Sequence, residues 1–149
     1  MIYISSDHAG YKLKSEAIGY LSEISETFED LGPYSFDKKD NYPLFAQNLC
    51  KKVLSNKNSL GILICDTGEG MVISANRFKG IRATLCLDIF LTERSKLHNN
   101  ANVLVLSGIY NKDNYKEIIS TFINTPFSNE ERHKKRIDMI DKYDNPSNS

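Results

Sequence analysis

No stretch of the 149 residues approaches the ~20 consecutive apolar residues that cross a bilayer, and Met1-Ile2-Tyr3-Ile4-Ser5-Ser6-Asp7 lacks the basic start and longer apolar run of a secretory leader. A cytoplasmic protein is expected. There is no excess of charge: 19 Lys plus Arg face 19 Asp plus Glu, a balance that argues against a main role in binding nucleic acid or an anionic membrane surface. Cysteine is scarce, with Cys50, Cys65 and Cys86 forming an odd set without Cys-x-x-Cys spacing. Neither a disulfide framework nor a zinc site is indicated, and three free thiols are expected. Asp7-His8 is a fragment of a metal site, but no His-x-x-x-His or carboxylate–histidine spacing completes it, so no metal is expected. Internal repeats are absent.

What is present is alternation. Ile2 to Ser5, Leu60 to Cys65, Ile81 to Leu85 and Asn102 to Ser107 are short apolar runs that read as strands, with a weaker one at Thr27 to Leu31. Between them Leu13, Ala17, Leu21 and Ile24 repeat with helical spacing, as do Phe45, Leu49 and Val53 after Pro43, which suits a first helical turn. A helix after Asn111 ends near Thr125-Pro126, and a charged one runs from about Asn129 to Tyr143. Strands alternating with helices predict a three-layer α/β/α sandwich of Rossmann type around a five-stranded parallel sheet. One domain over residues 1–143 is expected, with a frayed tail over 144–149. Ligands in such sheets bind beyond the carboxyl ends of the strands. Ser6-Asp7-His8-Ala9-Gly10, the loop after Cys65, and Leu97-His98-Asn99-Asn100 are the chemically rich segments assigned to those ends.

Cys65-Asp66-Thr67-Gly68-Glu69-Gly70-Met71 is the most informative stretch, because a buried strand delivers a thiol into a glycine-punctuated turn with Val72 to Arg77 continuing as helix. Free N–H groups at that helix start make an anion cradle. They also lower a neighbouring thiol from its usual pKa of roughly 8.5, which puts a thiolate within reach at neutral pH. The bland reading of Cys65 is a small buried hydrophobe. Thr67 reads either as a helix cap or as a hydroxyl able to relay a proton, and Asp7 either as a ligand contact or as a cap for the helix that Gly10 opens. Arg132 and Arg136, four apart, share a helical face able to clamp one phosphate, against the plain reading of a solvated basic face. Ile73 stands where a dinucleotide loop needs glycine, no Gly-Lys-Ser/Thr occurs, and Met71-Val72 offers no arginine for a cysteine-dependent phosphatase.

Taken in order, Ser6-Asp7-His8-Ala9-Gly10, Asp40-Asn41-Tyr42-Pro43, Ile64 to Met71, Ser74-Ala75-Asn76-Arg77, Gly80-Ile81-Arg82-Ala83, His98 to Leu104 and Arg132-His133-Lys134-Lys135-Arg136 resemble the type B ribose-5-phosphate isomerases. The wider group includes galactose-6-phosphate isomerase subunits, and the likeness runs to about Ile140. It implies a cofactor-free, metal-free aldose–ketose isomerase of the pentose phosphate pathway. Ribose 5-phosphate and ribulose 5-phosphate would interconvert through an enediolate, in a homodimer or tetramer with composite sites. By the same resemblance Cys65 is the base between C1 and C2, Thr67 serves the neighbouring oxygens, and His98 opens the furanose ring as proton donor. Asp7, His8 and Asn99 match substrate contacts, and Asp66 is counted with them. Backbone N–H groups of Gly68, Glu69 and Gly70 would hold the oxyanion, and Arg132 with Arg136 the phosphate.

Three positions depart from the family pattern. Asp66 replaces a usual glycine, Glu69 adds a carboxylate, and Ile109 stands where many relatives carry a phosphate-binding arginine. Asp66 is expected to raise the Cys65 pKa unless its side chain turns to solvent. Two alternatives remain open on these residues: isomerisation of a six-carbon sugar phosphate (allose or galactose 6-phosphate), and a catalytically silent sugar-phosphate-binding module.

Overall fold

The computed structural model describes residues 1–143, so the tail expected over 144–149 lies outside the described residues. Five strands, β1 (Ile2–Ser6), β2 (Phe28–Asp30), β3 (Leu60–Cys65), β4 (Ala83–Leu85) and β5 (Val103–Ser107), form one parallel sheet in the order β2-β1-β3-β5-β4. Among the described residues there are six helices: α1 (Tyr11–Glu23), α2 (Tyr42–Ser55), α3 (Glu69–Ala75), α4 (Ile89–Asn99), α5 (Tyr115–Asn124) and α6 (Glu131–Tyr143). This is the expected α/β/α sandwich.

Continuous apolar runs in β1, β3 and β5 are explained by burial of both sheet faces. Side chains alternate across each strand, so Ile2, Ile4, Ile62, Ile64, Leu104 and Leu106 pack under α1 and α5. Tyr3, Leu63, Cys65, Val103 and Val105 pack under α2 and α3. The predicted stripe Leu13, Ala17 and Leu21 is the buried face of α1, but Ile24 lies outside the helix as its C-cap and is exposed. Lys14 is also buried on that face, its ammonium held by Asp30 at 2.7 and 2.9 Å and by the Pro33 carbonyl at 2.8 Å.

The fourth strand is shorter than predicted. Ile81 N–H turns back to the Phe78 carbonyl, while the N–H groups of Arg82 and Ala83 donate to the side chains of Asn102 and Asn76. Asparagine carboxamides thus take over backbone donors that a ladder would use, and pairing starts only at Ala83. No helix among the described residues is long and apolar enough to cross a membrane.

Candidate active site

Strands β1 and β3 run side by side in register, Ser6 opposite Ile64, and their carboxyl ends deliver Asp7 and Cys65 to one spot. The helices that follow them depart to opposite faces of the sheet, which opens a crevice there. Gly10 is required by that approach, because a Cβ on it would sit 2.4 Å from the Ile64 carbonyl oxygen. The loop after Cys65 is pinned to β5: Gly108 N–H donates to the Cys65 carbonyl at 2.7 Å, and Ser107 Oγ donates to the Asp66 carbonyl at 2.7 Å.

The thiol of Cys65 donates to Asp7 Oδ2 at 3.0 Å, and Asp7 Oδ1 accepts the Gly10 N–H at 3.0 Å. Asp7 is 4 % exposed and Cys65 7 %. The expectation of a low thiol pKa is overturned. Burial, then the hydrogen bond and negative charge of Asp7, push Cys65 up to about 12, and the opposing N–H groups of Gly68 and Asp66 beside the sulfur do not offset them. The helix start does aim donors at the sulfur, but a carboxylate 58 residues earlier in the chain outweighs them. Asp66 itself is exposed to solvent, so the like charge facing the thiol belongs to Asp7.

Asp7→Asn therefore lowers the Cys65 pKa. Alkylation by iodoacetamide between pH 8 and 10 is expected to be several-fold faster in that variant than in the native chain, because the thiolate is the reactive species. Equal rates across that range would remove Asp7 as the cause.

Gly68 precedes α3 with φ of 90°, a left-handed conformation suited to glycine. It ends the turn so that Glu69, Gly70 and Met71 form the first helical turn, whose N–H groups have no partner within the helix. A Cβ on Gly70 would lie 2.8 Å from the Tyr42 ring, so Tyr42 walls this end of the loop. Thr67 is exposed and does not cap α3, which has no side-chain cap. Asp40 bonds His8 Nδ1 at 2.5 Å and raises the pKa of that ring, favouring imidazolium. Local sequence offered no sign of this pairing, since the two residues are 32 apart.

His98 is elsewhere. It lies at the end of α4, and Leu97 to Asn100 precede β5, so this segment is at the amino edge of the sheet and not at the carboxyl edge assigned from sequence. Its ring stacks on His133 of α6 with centroids 4.3 Å apart, and Arg94 donates to its Nε2 at 3.4 Å. Partial burial and then the charges of His133, Arg94 and Arg132 lower its pKa, so neutral imidazole predominates at pH 7. Arg94 was legible in principle, being one helical turn before His98. Asn99, Arg132 and Arg136 are exposed at the same end. Arg132 pairs with Glu130 at 2.7 Å, and Arg136 has no ion-pair partner among the described residues.

The chain therefore carries two separate clusters. Asp7, His8, Cys65, Thr67 and the Gly68-Glu69-Gly70 turn meet at one edge, and His98, Asn99, His133, Arg132 and Arg136 gather at the other. Among the described residues no three His, Cys, Asp or Glu side chains group as metal ligands.

A parallel α/β sheet with a buried thiol–carboxylate pair beside a glycine-led helix start at the carboxyl ends of β1 and β3 defines a Rossmann-like α/β protein with its crevice at that edge. The ribose/galactose isomerase family matches residues 2–140, and the chain belongs to that family. A Mycoplasma pneumoniae protein named as a probable ribose-5-phosphate isomerase B is 41 % identical over 145 residues, covering 96 % of this chain and 94 % of its own. A ribose 5-phosphate isomerase structure from Thermotoga maritima superposes with a TM-score of 0.90 at 43 % identity, covering 95 % of this chain and 97 % of the other. A ribose-5-phosphate isomerase B structure from Mycoplasma genitalium, with bound ribulose-5-phosphate, gives 0.89 at 40 % identity, covering 95 % and 94 %.

Proposed function

We propose that this chain is a ribose-5-phosphate isomerase, interconverting ribose 5-phosphate and ribulose 5-phosphate through an enediolate in the cytoplasm as a step of the pentose phosphate pathway. The observation that carries the reading is the Cys65–Asp7 contact at the carboxyl edge of β1 and β3, beside an unpaired helix start. A relative of the same fold with ribulose-5-phosphate bound supports the substrate.

Moving a proton between C1 and C2 requires one base and a dipole aimed at the oxygen that becomes negative. Cys65 is the base. Its S–H donates to Asp7 Oδ2 in the ligand-free chain, and the thiolate, with the N–H groups of Gly68 and Asp66 beside the sulfur, is the species that takes the C2 proton. The N–H groups of Glu69 and Gly70, joined by that of Gly68, stabilise the developing oxyanion, with Thr67 beside the O1 and O2 oxygens. His8, paired with Asp40, and Asp7 orient the sugar. Asp66 flanks the same ligand from the loop's solvent side.

Ring opening and phosphate capture fall to His98, Asn99, Arg132 and Arg136. In strand register Gly61 pairs with Val103 and Cys65 with Ser107. That is four residues of strand, roughly 13 Å at about 3.3 Å per residue, and His98 lies five residues further back. A single chain cannot present His98 and Cys65 to adjacent carbons of one sugar. A homodimer whose subunits exchange these edges can, and two-fold symmetry then makes two composite sites.

The test is direct. Purified protein incubated with ribose 5-phosphate, allose 6-phosphate and galactose 6-phosphate is expected to form ketose fastest from the ribose ester. Faster conversion of either hexose phosphate would transfer the assignment to the six-carbon sugars, and no ketose from any of them would leave a binding module.

A further inference from the structure

The amino edge of the sheet holds a second cavity, of about 520 Å³, walled by the ends of α2, α4 and α5. Three cations line it, Lys57, Arg82 and Lys96, and among the described residues no Asp or Glu does. In a chain whose charges balance overall, that local imbalance is unexpected.

Lys96 is the centre of the case. It is 7 % exposed, and its ammonium has one hydrogen bond, to the Ala101 carbonyl at 3.1 Å, together with the face of Phe122 at 4.7 Å. An ammonium has three donors and is costly to bury without a counter-charge. The protein's other buried lysine shows what a purely structural site looks like: Lys14 is matched by the Asp30 carboxylate and a carbonyl. Lys96 has no carboxylate partner among the described residues. Arg82 uses Nε on the Asn100 carbonyl at 3.0 Å, leaving its terminal nitrogens without a protein acceptor. Burial, followed by the charge of Arg82, lowers the Lys96 pKa, a tension that an anion between the two would relieve.

We propose that this cavity binds the phosphate group of a small phosphorylated molecule, held between Lys96 and Arg82 with Lys57 at the rim. The cavity is larger than phosphate alone fills, and Asn58, Asn124 and Thr125 add polar wall suited to the hydroxyls of the remainder. It is separate from the site of isomerisation. Cys65 is at the opposite sheet edge, and Lys96 and His98, two residues apart, point to opposite sides of α4, towards α5 and α6 respectively.

The full chain, carrying Arg132→Gln and Arg136→Gln to weaken the other anion site, is titrated calorimetrically with glycerol 3-phosphate and with inorganic phosphate. One glycerol 3-phosphate per chain is expected to depend on Lys96, with Lys96→Met weakening it about 10- to 100-fold, as loss of a hydrogen bond to a charged group does. Lys57→Gln, an exposed change that leaves the core intact, is expected to weaken it by a smaller factor and keeps the test valid if Lys96→Met fails to fold. Unchanged affinity and stoichiometry in these variants would overturn the site. Inorganic phosphate binding as tightly as glycerol 3-phosphate would overturn the organic part of the ligand.

Discussion

Cys65→Ala is expected to lose isomerase turnover by about 10²- to 10⁴-fold, the usual cost of removing a general base, with little change in KM. Exchange of the substrate C2 proton with solvent should fall in parallel. The side chain is small, and Asp7 keeps its Gly10 N–H bond in the variant, so circular dichroism and thermal unfolding should remain close to native. Cys50 and Cys86 are fully buried, against Ala75 and beside Ser95, and face neither cluster of functional groups. Their alanine variants should keep turning over substrate. A Cys65→Ala protein with more than a tenth of native turnover would remove this thiol from the mechanism.

Mixing two dead variants should restore activity. Cys65→Ala and His98→Ala each disable both sites of their own homodimer when the sites are composite. After subunit exchange, half of the randomly paired dimers are hybrids, and each hybrid has one site with both native residues and one with both lesions. Recovery should approach roughly a quarter of native turnover under that symmetry. Demonstrated exchange without recovery would mean that one chain supplies both residues, against the strand register that holds them at opposite edges of the sheet.

The pH behaviour has a definite sign. Burial and Asp7 hold the Cys65 proton up to about 12, and burial raises Cys50 to about 12, from an ordinary value of 9.0. Between those values the folded chain keeps protons that the unfolded chain has released. The stability associated with these thiols is complete below about pH 9 and declines as pH rises towards 12, in the same window where Cys65 alkylation accelerates.

How much of this was legible in the residues varies with the range of the forces involved. Strand β3 was readable to the residue, because Leu60-Gly61-Ile62-Leu63-Ile64-Cys65 is apolar on both faces and ends at a turn. The α1 stripe and the Pro43 start of α2 were readable for the same reason, since periodicity and first-turn chemistry are local. The start of β4 was not, because its donors are taken by Asn76 and Asn102 from other segments.

By itself the sequence determined the layered α/β architecture, the thiol at a sheet edge, and the family, since alternation and ordered short motifs are properties of neighbours in the chain. Only the tertiary structure decided that Asp7 sits against Cys65 and holds its proton, that Asp40 pairs with His8, and that His98 faces away with the arginines of α6. Those outcomes depend on strand order and on the direction in which α4 returns to β5. Electrostatic coupling acts through space, and residues 58 positions apart share one hydrogen bond here because two parallel strands end side by side.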